Sequence, residues 1–150
     1  MSLFSCLVGK RVRAVRLEPG GATLAVQVQS VSGENWLYFS AHGDCCSESF
    51  IESIAGLEEV RGHTILSAVD VPEGDGRFAE HHLRPTLRQE SKTFYAFEAR
   101  SLAGVFSVEM RNESNGYYGG WLSLDVSRDG EPPDDWKRIS EPYAVTAAPR

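Results

Sequence analysis

Strict alternation of apolar and polar residues is clearest in residues 23–31. Leu24, Val26 and Val28 fall on one face of an extended chain, and the intervening alanine and glutamines fall on the other. The pattern predicts a half-buried β-strand whose aliphatic face packs against a core.

The same alternation predicts strands elsewhere in the chain. They cover residues 36–41, 93–100, 105–111 and 121–126. The first of these forms a hairpin with the strand before it, and the middle two form a second hairpin. The positions expected to face the core are Leu37, Phe39, Ala41, Phe106, Val108, Met110, Leu122, Leu124 and Val126.

A weak internal similarity relates residues 9–19 to residues 62–72. Each segment begins with a glycine, continues into a short apolar run that contains Ala-Val, ends at a proline and is followed by a predicted hairpin. The similarity favours two three-stranded meanders, over residues 7–42 and 60–115, related by a pseudo-two-fold axis. The second copy also carries a charged insertion, residues 73–90.

One segment has helical periodicity. Its apolar positions are Phe50, Ile51, Ile54 and Leu57. Ser49 and Glu52 have the spacing of a capping box, and Gly56 suits a left-handed stop position. The segment therefore predicts one helix of about two turns, beginning between residues 46 and 50.

These elements together predict an α+β fold. We expect a single domain over residues 1–150, mostly antiparallel β-sheet, with about seven strands and one short helix. A chain of this length buries enough surface to fold without disulfides or metal.

Composition favours a reduced, non-membrane environment. No apolar run approaches the roughly 20 residues that span a bilayer, and Lys10 and Arg11 interrupt the apolar start where a signal peptide needs its core. Cys6, Cys45 and Cys46 are odd in number and two are neighbours, unlike a secreted disulfide framework. We therefore expect a cytoplasmic protein.

The charge balance argues against nucleic acid as a partner. The formal net charge is −6, whereas binding phosphates requires a surplus of lysine and arginine on at least one face. The basic residues that do cluster are Lys10, Arg11, Arg13 and Arg16. We expect them to line the solvated edge of the first strand.

The C-terminal extension, residues 127–150, is acidic and contains Pro132 and Pro133. Such a segment usually promotes solubility, although it also suits a basic partner. Trp136, Ile139 and Tyr143 are the side chains available to anchor it by packing.

The first candidate for chemistry is the stretch 42–48, between a predicted strand and the predicted helix. It contains Asp44, Cys45, Cys46 and Glu48. A helix N-terminus lowers the pKa of a nearby thiol, so a reactive cysteine is one interpretation, and a metal bound by His42 and the thiolates is another.

Neither interpretation is complete in the sequence. A zinc site needs three or four protein ligands, and a third would have to come from His63, His81 or His82. The simpler interpretation is that Asp44 or Ser47 caps the turn while a cysteine packs inward. We expect no metal and no cofactor.

The second candidate is the stretch 111–121, which contains Asn115, Tyr117, Tyr118 and Trp121 among turn-forming glycines. Tyrosines beside glycines suit stacking on a base or sugar, or anchoring in a protein interface. The favoured interpretation is plainer, namely that they close a hairpin and cover the sheet.

A resemblance rests on these two stretches. The runs GDCCSES (residues 43–49) and NGYYGG (residues 115–120) resemble signature stretches of an uncharacterised family of small proteins encoded by bacteria and their phages. The resemblance covers residues 7–126. It implies a shared architecture in which the two stretches belong to one site or one structural junction, and it implies no activity. The weak repeat separately predicts that residues 44–48 contact residues 115–118, because each stretch follows the third strand of its own meander.

The common signatures of nucleotide-binding proteins, zinc proteases and serine hydrolases are absent from the sequence. The favoured hypothesis is a non-enzymatic protein-binding module, such as an inhibitor, immunity or anti-defence factor. The alternative is a small enzyme or ligand-binding protein that uses Cys45, Cys46, Tyr117 and Tyr118. The candidate functional surface comprises Asp44, Cys45, Cys46, Glu48, Asn115, Tyr117, Tyr118 and Trp121.

Overall fold

Two five-stranded antiparallel sheets form the molecule in a computed structural model, which describes residues 2–43, 48–71, 91–114, 120–140 and 142–144. The strands of sheet A, in spatial order, are β8 (Gly120–Leu124), β3 (Gly33–Gly43), β2 (Thr23–Ser30), β1 (Arg11–Leu17) and β9 (Lys137–Arg138). Those of sheet B are β10 (Tyr143–Ala144), β4 (Glu48–Ala55), β7 (Val105–Ser114), β6 (Ser91–Arg100) and β5 (Ser67–Val71). The predicted antiparallel α+β class is confirmed.

The two sheets exchange strands. Sheet A contains the meander β1–β2–β3 and sheet B the meander β5–β6–β7. The strand that follows each meander joins the opposite sheet, since β4 pairs with β7 and β8 pairs with β3. Each sheet is therefore completed by a strand from the other half of the chain. The sequence repeat itself stays a prediction.

The alternation placed most core residues correctly. Leu24, Val26 and Val28 have no exposed surface, and Phe106, Val108 and Met110 on sheet B are equally buried. The prediction for Val126 is wrong, because β8 ends at Leu124 and leaves Val126 87% exposed.

A 3-10 helix, η1 (Leu3–Leu7), closes the core between the sheets. The ring of Phe4 lies 5.1 Å from that of Phe39 in sheet A, and 6.1 and 5.9 Å from those of Phe97 and Phe106 in sheet B. Burying such a side chain contributes about 1.5–3 kcal/mol. Phe4 thereby links both sheets through one aromatic cluster.

The predicted helix over residues 50–57 is wrong, because this segment forms strand β4. Its pairing with β7 shifts register between Ile51 and Ser53, which marks a β-bulge. The extra residue, Glu52, turns both Ile51 and Ile54 toward the core, where both are fully buried. Two core-facing residues of a strand, Ile51 and Ile54, are therefore three positions apart, which is the spacing of a helix face.

The α-helix found in the described part of the chain is α1 (Leu57–Val60), four residues long. Gly56 does adopt the predicted left-handed conformation, with φ 83° and ψ 6°, but it precedes the helix as N-cap instead of ending it. A side chain at Gly56 would collide with the backbone carbonyl of Val105. Within the described ranges, no helix is long and apolar enough to cross a membrane.

The C-terminal extension packs on the domain through a segment that we call the strap (residues 128–139). Trp136 and Ile139 are 5% and 4% exposed, and Tyr143 beyond them is half-buried. Strand β9 within the strap pairs with β1, and β10 pairs with β4. The expectation that Arg16 lies on a solvated edge is wrong, because the strap buries it to 4% exposure.

Candidate protein-binding surface

Only part of the predicted site lies in the described residues. Glu48 begins β4 and Trp121 lies in β8. The predicted residues that fall outside the described part are Asp44, Cys45, Cys46, Asn115, Tyr117 and Tyr118. The expected contact between residues 44–48 and 115–118, including the separation of Cys45 from Tyr117, therefore stays a prediction.

The strand ends that flank the two stretches are paired. Gly43 at the end of β3 is the Cα partner of Gly120 at the start of β8. Glu48 at the start of β4 is the partner of Glu113 near the end of β7. The strand ends on both sides of residues 44–47 are therefore paired with the strand ends on both sides of residues 115–119.

Gly120 lies at a close approach of the two sheets. The Ser49 hydroxyl donates a 2.8 Å hydrogen bond to the Asn112 amide oxygen. A Cβ built on Gly120 would lie 2.9 Å from that amide oxygen and 2.9 Å from the His42 carbonyl oxygen, and would also collide with Ser49 Oγ. The absence of a side chain at Gly120 is what lets β8 pass over β4 and β7 here.

An exposed aromatic pair lies beside this contact. His42 and Trp121 are Cα partners on β3 and β8, and their rings stack at 5.6 Å with an interplanar angle of 25°. His42 Nε2 lies 2.9 Å from the Ser123 hydroxyl. Trp121 remains 48% exposed. We call these three residues the His42–Trp121 surface.

One carboxylate, that of Asp125, lies near the His42–Trp121 surface. Asp125 accepts hydrogen bonds from the hydroxyl and the backbone amide of Ser127, at 2.6 and 3.1 Å. These bonds, assisted by the proximity of Arg128 and His42, hold the pKa of Asp125 below its ordinary value. Asp125 therefore keeps its negative charge at neutral pH.

The chain matches the family described as Domain of unknown function (DUF7448) over residues 5–124. The chain belongs to the DUF7448 family. No curated protein and no solved structure matches it. The matched range of the DUF7448 domain begins in η1 and ends with β8, so it includes both meanders and excludes the strap. Membership in an uncharacterised family is thus established, while the bacterial and phage origin and the role of the two signature stretches stay predictions.

The outer face of sheet A continues from His42 along β3 to Tyr38, where the strap covers the DUF7448 domain. Tyr38 and Trp136 meet edge to face, with ring centroids 5.7 Å apart. The Tyr38 hydroxyl donates a 2.7 Å hydrogen bond to the Gly130 carbonyl, and burial raises the pKa of this tyrosine. The Arg128 guanidinium lies 4.6 Å from the centroid of Tyr38 and 5.2 Å from that of Trp136.

Arg16 is the polar centre of the covered face. It donates hydrogen bonds to Glu131, at 2.8 Å, and to the Pro132 carbonyl, at 3.4 Å. Its guanidinium also lies 5.5 Å from the ring centroid of Trp36. Sequence reasoning missed this layer, although one signal was present: Trp36 and Tyr38 alternate with core residues on β3, and two aromatics on an outer face indicate a further covering element.

Buried charges on sheet B were also missed. Arg111 has no exposed surface and pairs with Glu52 at 3.2 Å, while Arg100 pairs with the buried Glu98 at 2.9 Å. Arg111 also lies over the ring of Phe50. Breaking a buried pair costs about 3–5 kcal/mol because the remaining charge stays buried. The predicted helix concealed this arrangement, since it assigned Glu52 to a capping box at the helix start.

Neither Glu48 nor Trp121, the two predicted residues that the structure describes, lines either of the two surface cavities below. A surface cavity of about 260 Å³ is lined by Gly9, Arg11, Gln29, Ser30, Val31 and Thr64. A smaller one, of about 70 Å³, lies between the end of β4, α1 and the residues that follow the strap's Trp136. No group of three or more metal-ligating side chains occurs among the residues that the structure describes. His42, Trp121 and Ser123 line neither of these cavities.

Proposed function

We propose that the DUF7448 domain is a non-enzymatic protein-binding module and that the His42–Trp121 surface forms part of its contact area. The supporting observation is the half-exposed indole of Trp121, stacked on His42 at 5.6 Å. Tryptophan is among the residues that contribute most to protein interfaces, because it buries a large area and retains a polar N–H.

The pair is also held in place before any partner arrives. His42 and Trp121 are directly opposite on paired strands, and Ser123 contacts the imidazole Nε2 at 2.9 Å. Side chains that are already ordered lose less conformational entropy on binding. The ordered pair of His42 and Trp121 therefore suits the binding of a partner protein.

The charges favour a partner with basic and apolar groups. The whole chain carries a net charge of −6, and Asp125 adds a local negative charge beside His42. Complementary charge accelerates association and excludes acidic competitors. An inhibitor, immunity or anti-defence factor, encoded by a phage or mobile element and acting in the cytoplasm, is the class of protein that we favour.

The test compares two exposed apolar residues. Bait proteins carrying Trp121→Ala or Leu102→Ala are crosslinked in a host extract, and captured proteins are quantified against the unchanged bait. Leu102 is the matched control, because it is 93% exposed at the distant β6–β7 turn. We expect Trp121→Ala to reduce the capture of specific partners by about 30-fold, the equivalent of about 2 kcal/mol.

Leu102→Ala is expected to leave that capture unchanged, and both variants are expected to keep the parental melting temperature. Equal capture by both variants would remove the His42–Trp121 surface from the proposal. A partner that passes this comparison is then purified and its affinity for each variant measured by calorimetry.

A further inference from the structure

The strap covers the outer face of sheet A, and we call the covered part of that face the groove. The strap lies beyond the range matched by the DUF7448 family, residues 5–124, while the residues under it belong to β1, β2 and β3 within that range. The covered face therefore belongs to the matched domain, whereas the strap comes from the segment that follows it.

The strap binds this face through its backbone at one end. Arg138 and Lys137 pair with Arg16 and Leu17 at the edge of β1, and the Ile139 amide donates a 2.9 Å hydrogen bond to the Val15 carbonyl. Adding an extended segment to a sheet edge is a recurrent mode of peptide recognition, in which main-chain bonds supply affinity.

The other end packs on the sheet through side chains. Pro132 is buried, and Trp136, 5% exposed, packs edge to face on Tyr38. The strap therefore combines strand addition at one end with buried side-chain anchors at the other.

Two polar side chains of the groove bind the strap through hydrogen bonds and an ion pair. Tyr38 donates to the carbonyl of Gly130. Arg16, with a side chain only 5% exposed, bonds the Glu131 carboxylate and the Pro132 carbonyl. A desolvated guanidinium directed at a carboxylate selects an acidic segment over a neutral or basic one.

We propose that this groove is a binding site for an acidic, proline-containing segment of a partner protein, and that the strap is its resident occupant in cis. The partner segment carries a carboxylate for Arg16, an aromatic ring for Tyr38 and an extended end for the edge of β1. This site is separate from the His42–Trp121 surface, and its occupation does not depend on the function proposed for that surface.

Tethering determines when the groove is accessible. A segment joined by a short linker competes with an effective concentration on the order of millimolar. A free peptide of the same sequence therefore enters only when the strap opens or is cut.

The test uses the full chain with a protease site inserted between residues 126 and 127, next to the exposed Val126. The folded protein is cut, and a fluorescent peptide with the sequence of residues 127–144 is added in excess. We expect the anisotropy of the peptide to rise as the cut strap is released, and uptake by the uncut chain to be weaker by roughly 100-fold.

The matched control is the same peptide carrying Trp136→Ala, which is expected to bind at least about 30-fold more weakly, as for the loss of a buried aromatic anchor. Equal uptake of the control peptide would overturn the proposal. So would a cut strap that never exchanges, or a protein that unfolds when the strap leaves.

Hydrogen exchange on the uncut, unmodified chain provides an independent measurement. If the strap is displaceable, the Ile139 amide exchanges at least about tenfold faster than core amides of β2, through a local opening. Equal rates would show that the strap and the sheets open as one cooperative unit, and would overturn the proposal without any variant.

Discussion

Gly120 illustrates how a single missing side chain positions a site. Its backbone crosses Ser49 and Asn112 at a distance that no Cβ tolerates, and its neighbour Trp121 is thereby held against His42. The glycine was recognised in the sequence as part of a turn, but its steric role depends on a contact between strands far apart in the chain.

Replacing Gly120 with alanine should lower the free energy of unfolding. The new methyl group would displace Ser49 Oγ and the Asn112 amide, and overpacking of this kind costs about 1–3 kcal/mol. Denaturant titration measures the change. Adding Ser49→Ala should recover part of the loss, and a Gly120→Ala protein of parental stability would contradict the close approach.

Two tyrosines predict a loss of stability in alkali. Burial raises the pKa of Tyr38 and, with the nearby Glu52, that of Tyr143, above the ordinary value of 10.0. A raised pKa means that the folded state binds the proton more tightly than the unfolded state. The resulting stabilisation is complete below pH 10.0 and is lost as the pH rises through the folded-state values.

The free energy of unfolding is therefore expected to stay level up to about pH 10 and to fall above it, as measured by urea titration on both sides of that pH. Tyr38→Phe should flatten the dependence, since phenylalanine has no proton to lose. An unchanged slope in that variant would show that Tyr38 ionises as freely in the folded protein as in the unfolded chain.

At the scale of elements, β4 shows why a spacing can mislead. Ile51 and Ile54 have the i, i+3 spacing of a helix face, yet the bulge at Glu52 gives a strand the same spacing. A sequence contains no direct sign of a bulge, because the bulge exists only relative to the partner strand β7. The regular strands, such as β2, were predictable because their alternation is uninterrupted.

The bulge places Ile54 where truncation of its side chain is costly. Ile54 has no exposed surface and lies in β4 opposite Val108 of β7. Ile54→Ala should cost about 2–5 kcal/mol, measured as a shift of the denaturation midpoint. Ser53→Ala, one position away and partly exposed, serves as the control and should stay within about 0.5 kcal/mol. Equal shifts in the two variants would contradict the inward orientation of Ile54.

The strap was only partly predictable at this scale. Trp136 and Ile139 were identified as anchoring residues from their hydrophobicity alone. The surface on which they pack could not be predicted, because nothing in the sequence distinguishes Arg16 from a surface charge such as Arg13. Its burial follows from Glu131 and Pro132, more than a hundred residues later in the chain, at separations of 115 and 116.

At the scale of the molecule, hairpins were predictable and sheet membership was not. The hairpins β2–β3 and β6–β7 follow from alternation and turn residues that are close in sequence. The pairings of β4 with β7 and of β8 with β3 join segments from opposite halves of the chain. Such pairings depend on which faces can be buried together, a property that local patterns do not contain.

The exchange of β4 and β8 also sets the order in which a ribosome can complete the sheets. When β3 (Gly33–Gly43) emerges, its outer partner β8 (Gly120–Leu124) has not been synthesised, and the nascent meander presents an open edge until that strand is translated. Open edges attract other strands, so a ribosome that stalls before Gly120 leaves a chain that is prone to aggregation and suited to capture by chaperones. We therefore expect translation speed across the second half of the gene to affect how much protein reaches the native state.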